Sequence, residues 1–95
     1  MAALSKGEVK ARLTDLPGWE LDDGELEKKY TFADFGGSIA FVNNVAALAE
    51  TADHHPDISI KYNKVKLTLS THSEGGITEK DFALATQIDA AVASA

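Results

Sequence analysis

Asp53-His54-His55-Pro56 sets two imidazoles side by side and Ser70-Thr71-His72 adds a third, so all three histidines of the protein fall in two short segments. Imidazole is the side chain whose ordinary pKa, about 6.5, lets it give and take protons near neutral pH. A histidine alone in a small domain is more often a surface or structural residue; the gathering of three is what points to chemistry. Three imidazoles with Glu50 and Asp81 in reach also suit a non-haem metal. The spacing argues against that. Successive residues of an extended chain point to opposite sides, and neither His-x-His nor His-x-x-x-His, which put two rings on one face, occurs. No serine stands in the setting of a hydrolase nucleophile elbow. Paired imidazoles acting as general acid and base, without a metal, are what the residue types favour.

The rest of the composition narrows the partners. Ninety-five residues predict one domain, 1–95, with a single small core that oligomerisation would help to complete. Nine basic against fifteen acidic residues leave a formal charge of −6, which repels phosphate backbones and anionic lipid, so neither nucleic acid nor membrane is expected as a partner. There is no cysteine, and with it no disulfide, iron–sulfur cluster or thiolate zinc site. The N-terminus lacks the basic-then-apolar pattern of a secretory signal, and no apolar run approaches the roughly 20 residues of a membrane span. A cytoplasmic location is the expectation.

The elements that must position the histidines can be read from periodicity. Ser5-Lys6-Gly7-Glu8 has capping-box spacing and opens a helix to about Leu13, which Leu16-Pro17-Gly18 ends. Trp19 to Leu21 and Leu26 to Phe32 alternate around the turn cluster Asp22-Asp23-Gly24-Glu25, a first hairpin. From Asp34 helical spacing takes over, with Ile39, Val42, Val45, Ala46 and Ala49 on one stripe to about Ala52, although Gly36-Gly37 weakens the first turn. Pro56 disfavours helix at His55, so the histidine pair falls at a helix-to-strand junction. Ile58, Ile60 and Tyr62, then Val65, Leu67 and Leu69, alternate as a second hairpin. A turn at Asn63-Lys64, where Asn tolerates positive φ, pairs Tyr62 with Val65, Ile60 with Leu67 and Ile58 with Leu69. That register sets Lys61 against Lys66 and His55 against His72, with opposed Cα atoms about 4.5–5.5 Å apart on the sheet's open side. Ser73-Glu74-Gly75-Gly76 is a loop, and Thr78-x-x-Asp81 caps a last helix with an apolar stripe of Phe82, Ala85, Ile88 and Val92. Ala83, Ala90, Ala91 and Ala93 leave the remainder of that helix smooth enough for close approach by a neighbour. The fold class expected is α+β: two layers, a four-stranded antiparallel sheet of two hairpins with helices packed on one face.

Four segments together, Glu50-x-x-x-His54-His55-Pro56, Tyr62-Asn63-Lys64-Val65, Thr71-His72 and Thr78-x-x-Asp81, resemble the signature of the pterin-4a-carbinolamine dehydratases over roughly Trp19 to Ile88. Two positions depart from that pattern: Ile58, where many relatives carry an aromatic, and Gly36-Gly37 inside the central helix. The resemblance implies a cofactorless hydro-lyase that removes water from 4a-hydroxytetrahydropterin to give quinonoid dihydropterin. It further implies a homodimer or homotetramer and a link to aromatic amino-acid hydroxylases, whose tetrahydropterin is recycled. Carried over residue by residue, His54 and His72 look like the acid–base pair and His55 a binding and assisting residue. Asp53, Ser70, Thr71 and Ser73 look like parts of the pterin pocket, and Glu50 and Asp81 like groups that orient imidazoles. Each acid also has a purely structural reading, as a helix-end acid or a capping residue. A competing role implied by the same resemblance is a non-catalytic one, as a dimerisation cofactor of a transcription factor or an enzyme.

Overall fold

A computed structural model describes residues 2–93, without the side chain of Ala93, so the part that alanine was expected to play in the smooth helix face lies outside the described residues. In chain order the elements are α1 (Lys6–Leu13), β1 (Glu20–Asp22), β2 (Glu25–Thr31), α2 (Phe35–Ala52), β3 (Asp57–Lys61), β4 (Lys64–Leu69), a single 3-10 turn (His72–Glu74) and α3 (Glu79–Ala93). The strands form one antiparallel sheet in the order β1-β2-β4-β3, so two hairpins meet through their second strands. Alternation decides which side is covered. Leu26, Tyr30, Val65, Leu67 and Leu69 are buried with Phe41 and Val45 of α2 and Phe82, Ala85 and Ile88 of α3, while Lys29, Lys64 and Lys66 stand exposed on the other face. This is the expected α+β architecture. None of the described helices is long and apolar enough to cross a membrane.

Ser5 caps α1 with both bonds of the capping box, and Asp23-Gly24, both at positive φ, make the two-residue turn of the first hairpin. The buried stripe of α2 is rotated from the expected one. Ser38, Phe41, Val45 and Ala49 are inside, Ile39 and Val42 are half-buried, and Ala46 is exposed. Gly37 earns its place in this helix: a Cβ there would sit 3.0 Å from that of Phe32, so the link after β2 packs on α2 more closely than a side chain would allow without a small shift. On the far side, Asp89 of α3 accepts from Trp19 Nε1 (3.0 Å), Lys28 Nζ (3.0 Å) and the Tyr30 hydroxyl (2.7 Å), tying the last helix to the first hairpin. Burial, together with the Asp89 carboxylate, holds the Tyr30 phenol well above its ordinary pKa.

The second hairpin corrects the expected register. Its turn is Tyr62-Asn63, not Asn63-Lys64, and the pairs are Ile60 with Val65, Ile58 with Leu67 and Lys61 with Lys64. Tyr62 takes φ 52°, uncommon for an aromatic, because tertiary bonds override local preference. Asn63 is held at both ends of its residue: its carbonyl accepts from the Phe32 amide (2.8 Å) and its Nδ2 donates to the Phe32 carbonyl (3.0 Å). The buried Ser38 hydroxyl donates to the Tyr62 carbonyl at 2.7 Å. Asn63 thus continues the ladder and the left-handed residue falls on Tyr62. A slip of two residues preserves which side chains share a face. It does not preserve the opposition of His55 to His72: continued beyond Asp57, the observed ladder points His54 at Thr71.

Candidate active site

The helix end comes first, because it aims the imidazoles. α2 stops where Asp53 turns left-handed (φ 51°), its amide bonded to the carbonyls of Ala49 and Glu50, and the His54 amide also returns to Ala49. Asp tolerates this conformation better than most residues. The chain then passes through Pro56, which disfavours helix at His55, into β3, and the two neighbouring rings part company. His54 turns inward, 11% exposed, and its Nε2 lies 2.5 Å from Asp81 Oδ1. His55 remains outside, 56% exposed, with Nε2 at 3.1 Å from Glu50 Oε1 on the last turn of α2.

Asp81 is fully buried, and a buried carboxylate is tolerable only when its lone pairs are filled. Its second oxygen accepts from the Thr71 hydroxyl (3.0 Å) and from the Thr78 amide (2.9 Å) at the opening of α3. Thr78, fully buried, accepts from the Lys80 amide, completing the expected capping motif. The hydroxyls of Thr71 and Thr78 are 2.8 Å apart. Since Thr71 spends its proton on Asp81, Thr78 donates to Thr71, and the chain of donors runs Thr78 to Thr71 to Asp81. Against an ionised carboxylate, which only accepts, Nε2 of a neutral His54 is the donor and Nδ1 the nitrogen left to accept a proton.

The other expected site residues fall around this network. Thr71 carries the sheet end into the 3-10 turn, so the exposed His72 follows directly on a residue bonded to the same carboxylate as His54. Among the described residues the His72 ring has no hydrogen-bond or ion-pair partner. Ser73 and Asp53 are exposed, and Ser70 is half-buried, its hydroxyl donating to Glu25 at 3.1 Å. Thr71, 6% exposed, has its hydroxyl turned into the Asp81 network and not toward solvent. Sequence reasoning took Thr78 for a helix cap alone; its hydroxyl also supports Thr71, which the spacing to Asp81 gives no means of seeing. No three of the described His, Asp and Glu residues are grouped as metal ligands would be. The arrangement offers one deeply oriented imidazole, one exposed imidazole a residue beyond Thr71 of the same network and a third held by a solvent-facing acid, residue types suited to moving protons on and off a small molecule.

The sequence model of the family described as "Pterin 4 alpha carbinolamine dehydratase" matches residues 2–91. Relatives provisionally named pterin-4-alpha-carbinolamine dehydratase include one from Chloroflexus aurantiacus, 52% identical over 89 residues (94% of this chain, 96% of the relative). Another, from Sulfolobus acidocaldarius, is 46% identical over 86 residues (90% and 94%). A crystal structure of a transcriptional coactivator/pterin dehydratase from Brucella melitensis superposes with a TM-score of 0.88 at 37% identity, covering 93% of this chain and 96% of that one. A pterin dehydratase-like protein identified as a RuBisCO assembly factor in the alpha-carboxysome superposes at 0.62 with 29% identity, covering 76% and 83%.

Proposed function

Because this chain belongs to the pterin-4a-carbinolamine dehydratase family, we propose that it removes water from 4a-hydroxytetrahydropterin by histidine acid–base catalysis. In that reaction the C4a–oxygen bond breaks, a proton is delivered to the leaving oxygen, and a proton is withdrawn from the pterin ring as electrons move from nitrogen toward C4a. The products are water and quinonoid dihydropterin, with no net redox change. His54 and His72 are the proposed acid–base pair, and His55 binds and assists. The observation that carries the reading is the His54–Asp81 contact at 2.5 Å with a fully buried carboxylate, because it commits Nε2 and directs proton exchange through Nδ1. Asp53, Ser70 and Ser73 are proposed to line the pterin pocket, while Thr71 acts through Asp81. Glu50 orients His55 from outside.

The test is a direct assay of carbinolamine dehydration with purified protein, before and after exhaustive chelation. The expected result is acceleration over the spontaneous reaction that chelation leaves unchanged. A rate equal to the spontaneous one would remove the enzyme reading. Activity lost to chelation and restored by zinc or iron would replace acid–base catalysis by a metal mechanism.

A homodimer or homotetramer is proposed as the working state. Phe35, Ile58, Ile60 and Tyr62 are exposed apolar residues, and the last three lie along the outer strand β3 and its turn. This surface is a stronger candidate for contact than the alanine face of α3, where Ala83 and Ala90 are exposed but offer little apolar area each. The assembly role of one structural neighbour supports a second reading, a binding protein without turnover. A folded, inactive protein that captures a partner would establish it.

A further inference from the structure

The sheet face turned away from the helices is sorted by charge. In the ladder, Glu20 of β1 stands against Glu27 of β2, and Glu27 against Thr68 of β4, which stands against Asp57 of β3. The neighbouring row toward the first turn holds Asp22 against Glu25. On the other side, Lys29 stands against Lys66, and Lys64 against Lys61. All of these side chains share one face, because positions two apart along a strand point the same way. Half of the face therefore carries five carboxylates and the other half four lysines, with a shallow hollow of about 580 Å³ over the lysine half.

Like charges placed directly opposite each other destabilise a sheet. Here four cross-strand pairs, Glu20–Glu27, Asp22–Glu25, Lys29–Lys66 and Lys61–Lys64, are alike in sign. Opposite charges meet only along the seam between the halves, as Glu27 and Lys29 do two residues apart on β2 and as Glu27 and Lys66 do diagonally. Among the described residues none of the four lysines is in an ion pair. Exchanging Glu27 and Lys29 alone would convert two of the like pairs into opposite ones. A local rule broken where so small a change would mend it marks a surface whose counter-charges come from outside.

The two halves abut, and this decides the occupant. A uniform polyanion, such as a nucleic acid, would meet five carboxylates beside the lysines. A partner must itself carry both signs at the same spacing, and a second copy of this face does so by construction. The face bears one net negative charge, against −6 for the chain, so two copies meeting there repel little through net charge. We propose that two copies associate open face to open face about a twofold axis, the lysine half of each over the carboxylate half of the other. This contact is separate from the apolar one on β3 and, unlike it, salt-sensitive.

Sedimentation equilibrium separates the two. Between about 0.02 M and about 0.5 M salt the dissociation constant of the face contact is expected to rise at least about tenfold, since screening shortens to a few ångströms. The variant Lys29→Glu/Lys66→Glu and the variant Glu20→Lys/Glu27→Lys each lose the salt-sensitive step alone, with circular dichroism unchanged. Mixed in equal amounts, they regain it as a heterodimer. An association that ignores salt and both variants belongs to the apolar surface and overturns the face contact. So do variants that fail to recombine, or a wild-type protein that binds a polyglutamate peptide at the lysines without self-associating. A species that persists at high salt reports on the apolar oligomer alone, so the failure of either association is visible without the other.

Discussion

His54 and His55 are neighbours in sequence and each pairs with a carboxylate, yet the two pairs are physically unlike. His54–Asp81 joins an 11% exposed ring to a fully buried acid at 2.5 Å, whereas His55–Glu50 joins a 56% exposed ring to a 78% exposed acid at 3.1 Å. In the first, the acid is itself held by a hydroxyl, an amide and the opening of a helix, so neither partner can turn away. In the second, water competes for every bond and both side chains are free to move. A histidine–carboxylate pair is therefore firmly held in one place and a loose association in the other. The difference comes from where the chain leaves α2: after the left-handed Asp53 the adjacent rings go to different sides, one inward to Asp81 and one outward to Glu50.

The largest effect that would sharpen this contrast is on turnover. His54→Ala, and His72→Ala beside it, are expected to lower kcat by about 10²-fold or more, the usual contribution of a positioned acid or base, while His55→Ala acts mainly on KM. Steady-state kinetics on variants with native circular dichroism checks this. Equal losses in kcat for His54→Ala and His55→Ala would dissolve the distinction between the two pairs.

Next come the groups behind His54. Asp81→Ala leaves the Thr78 amide, the Thr71 hydroxyl and His54 Nε2 without their acceptor, and stranded buried donors cost about 1–3 kcal/mol. Denaturant unfolding is expected to show a loss of that order, together with a fall in kcat. Asp81→Asn keeps the shape but presents an amide, which can donate to the ring and favour the other tautomer. Its expected signature is a change in the ¹⁵N shifts of the His54 ring with the fold intact. Thr78→Val is milder, since it removes one hydroxyl and leaves the carboxylate in place. A loss of about 1 kcal/mol or somewhat more and a severalfold drop in kcat are expected. Full activity in Asp81→Asn with an unaltered ring spectrum would show that Asp81 does nothing beyond capping α3.

How much of this was legible beforehand follows from range. The capping boxes at Ser5 and Thr78, the Asp23-Gly24 turn and the end of α2 depend on residues close in sequence, and they stand where spacing puts them. The alternation of β4 identified its buried side because hydrophobic period and pleat coincide. The turn of the second hairpin was misplaced because it is decided by Phe32 and Ser38, remote in sequence, and not by the conformational tolerance of Asn63. The glycine pair in α2 read as a weakness, while Gly37 answers to a contact with Phe32. At the site, residue types announced the histidines, but only the folded chain reveals which carboxylate is buried. Asp81 and Glu50 look equivalent as letters, and burial separates them.

The smallest effect expected lies with Glu50. An exposed ion pair contributes between nothing and about 1 kcal/mol, because both side chains lose freedom to gain a bond that water already offers. Glu50→Gln retains a hydrogen-bonding oxygen and removes the charge, so unfolding stability is expected to change by less than about 0.5 kcal/mol. Turnover should stay within about threefold of the parent, with any change in KM reduced further by added salt, since an exposed pair is screened within about 8–10 Å at ordinary ionic strength. Kinetics of Glu50→Gln, His55→Ala and the double variant, taken as a cycle, read the coupling between the two directly. A coupling as large as that measured in the same way between His54 and Asp81 would mean that solvent exposure does not set the difference between the pairs, and would move Glu50 into the working part of the site.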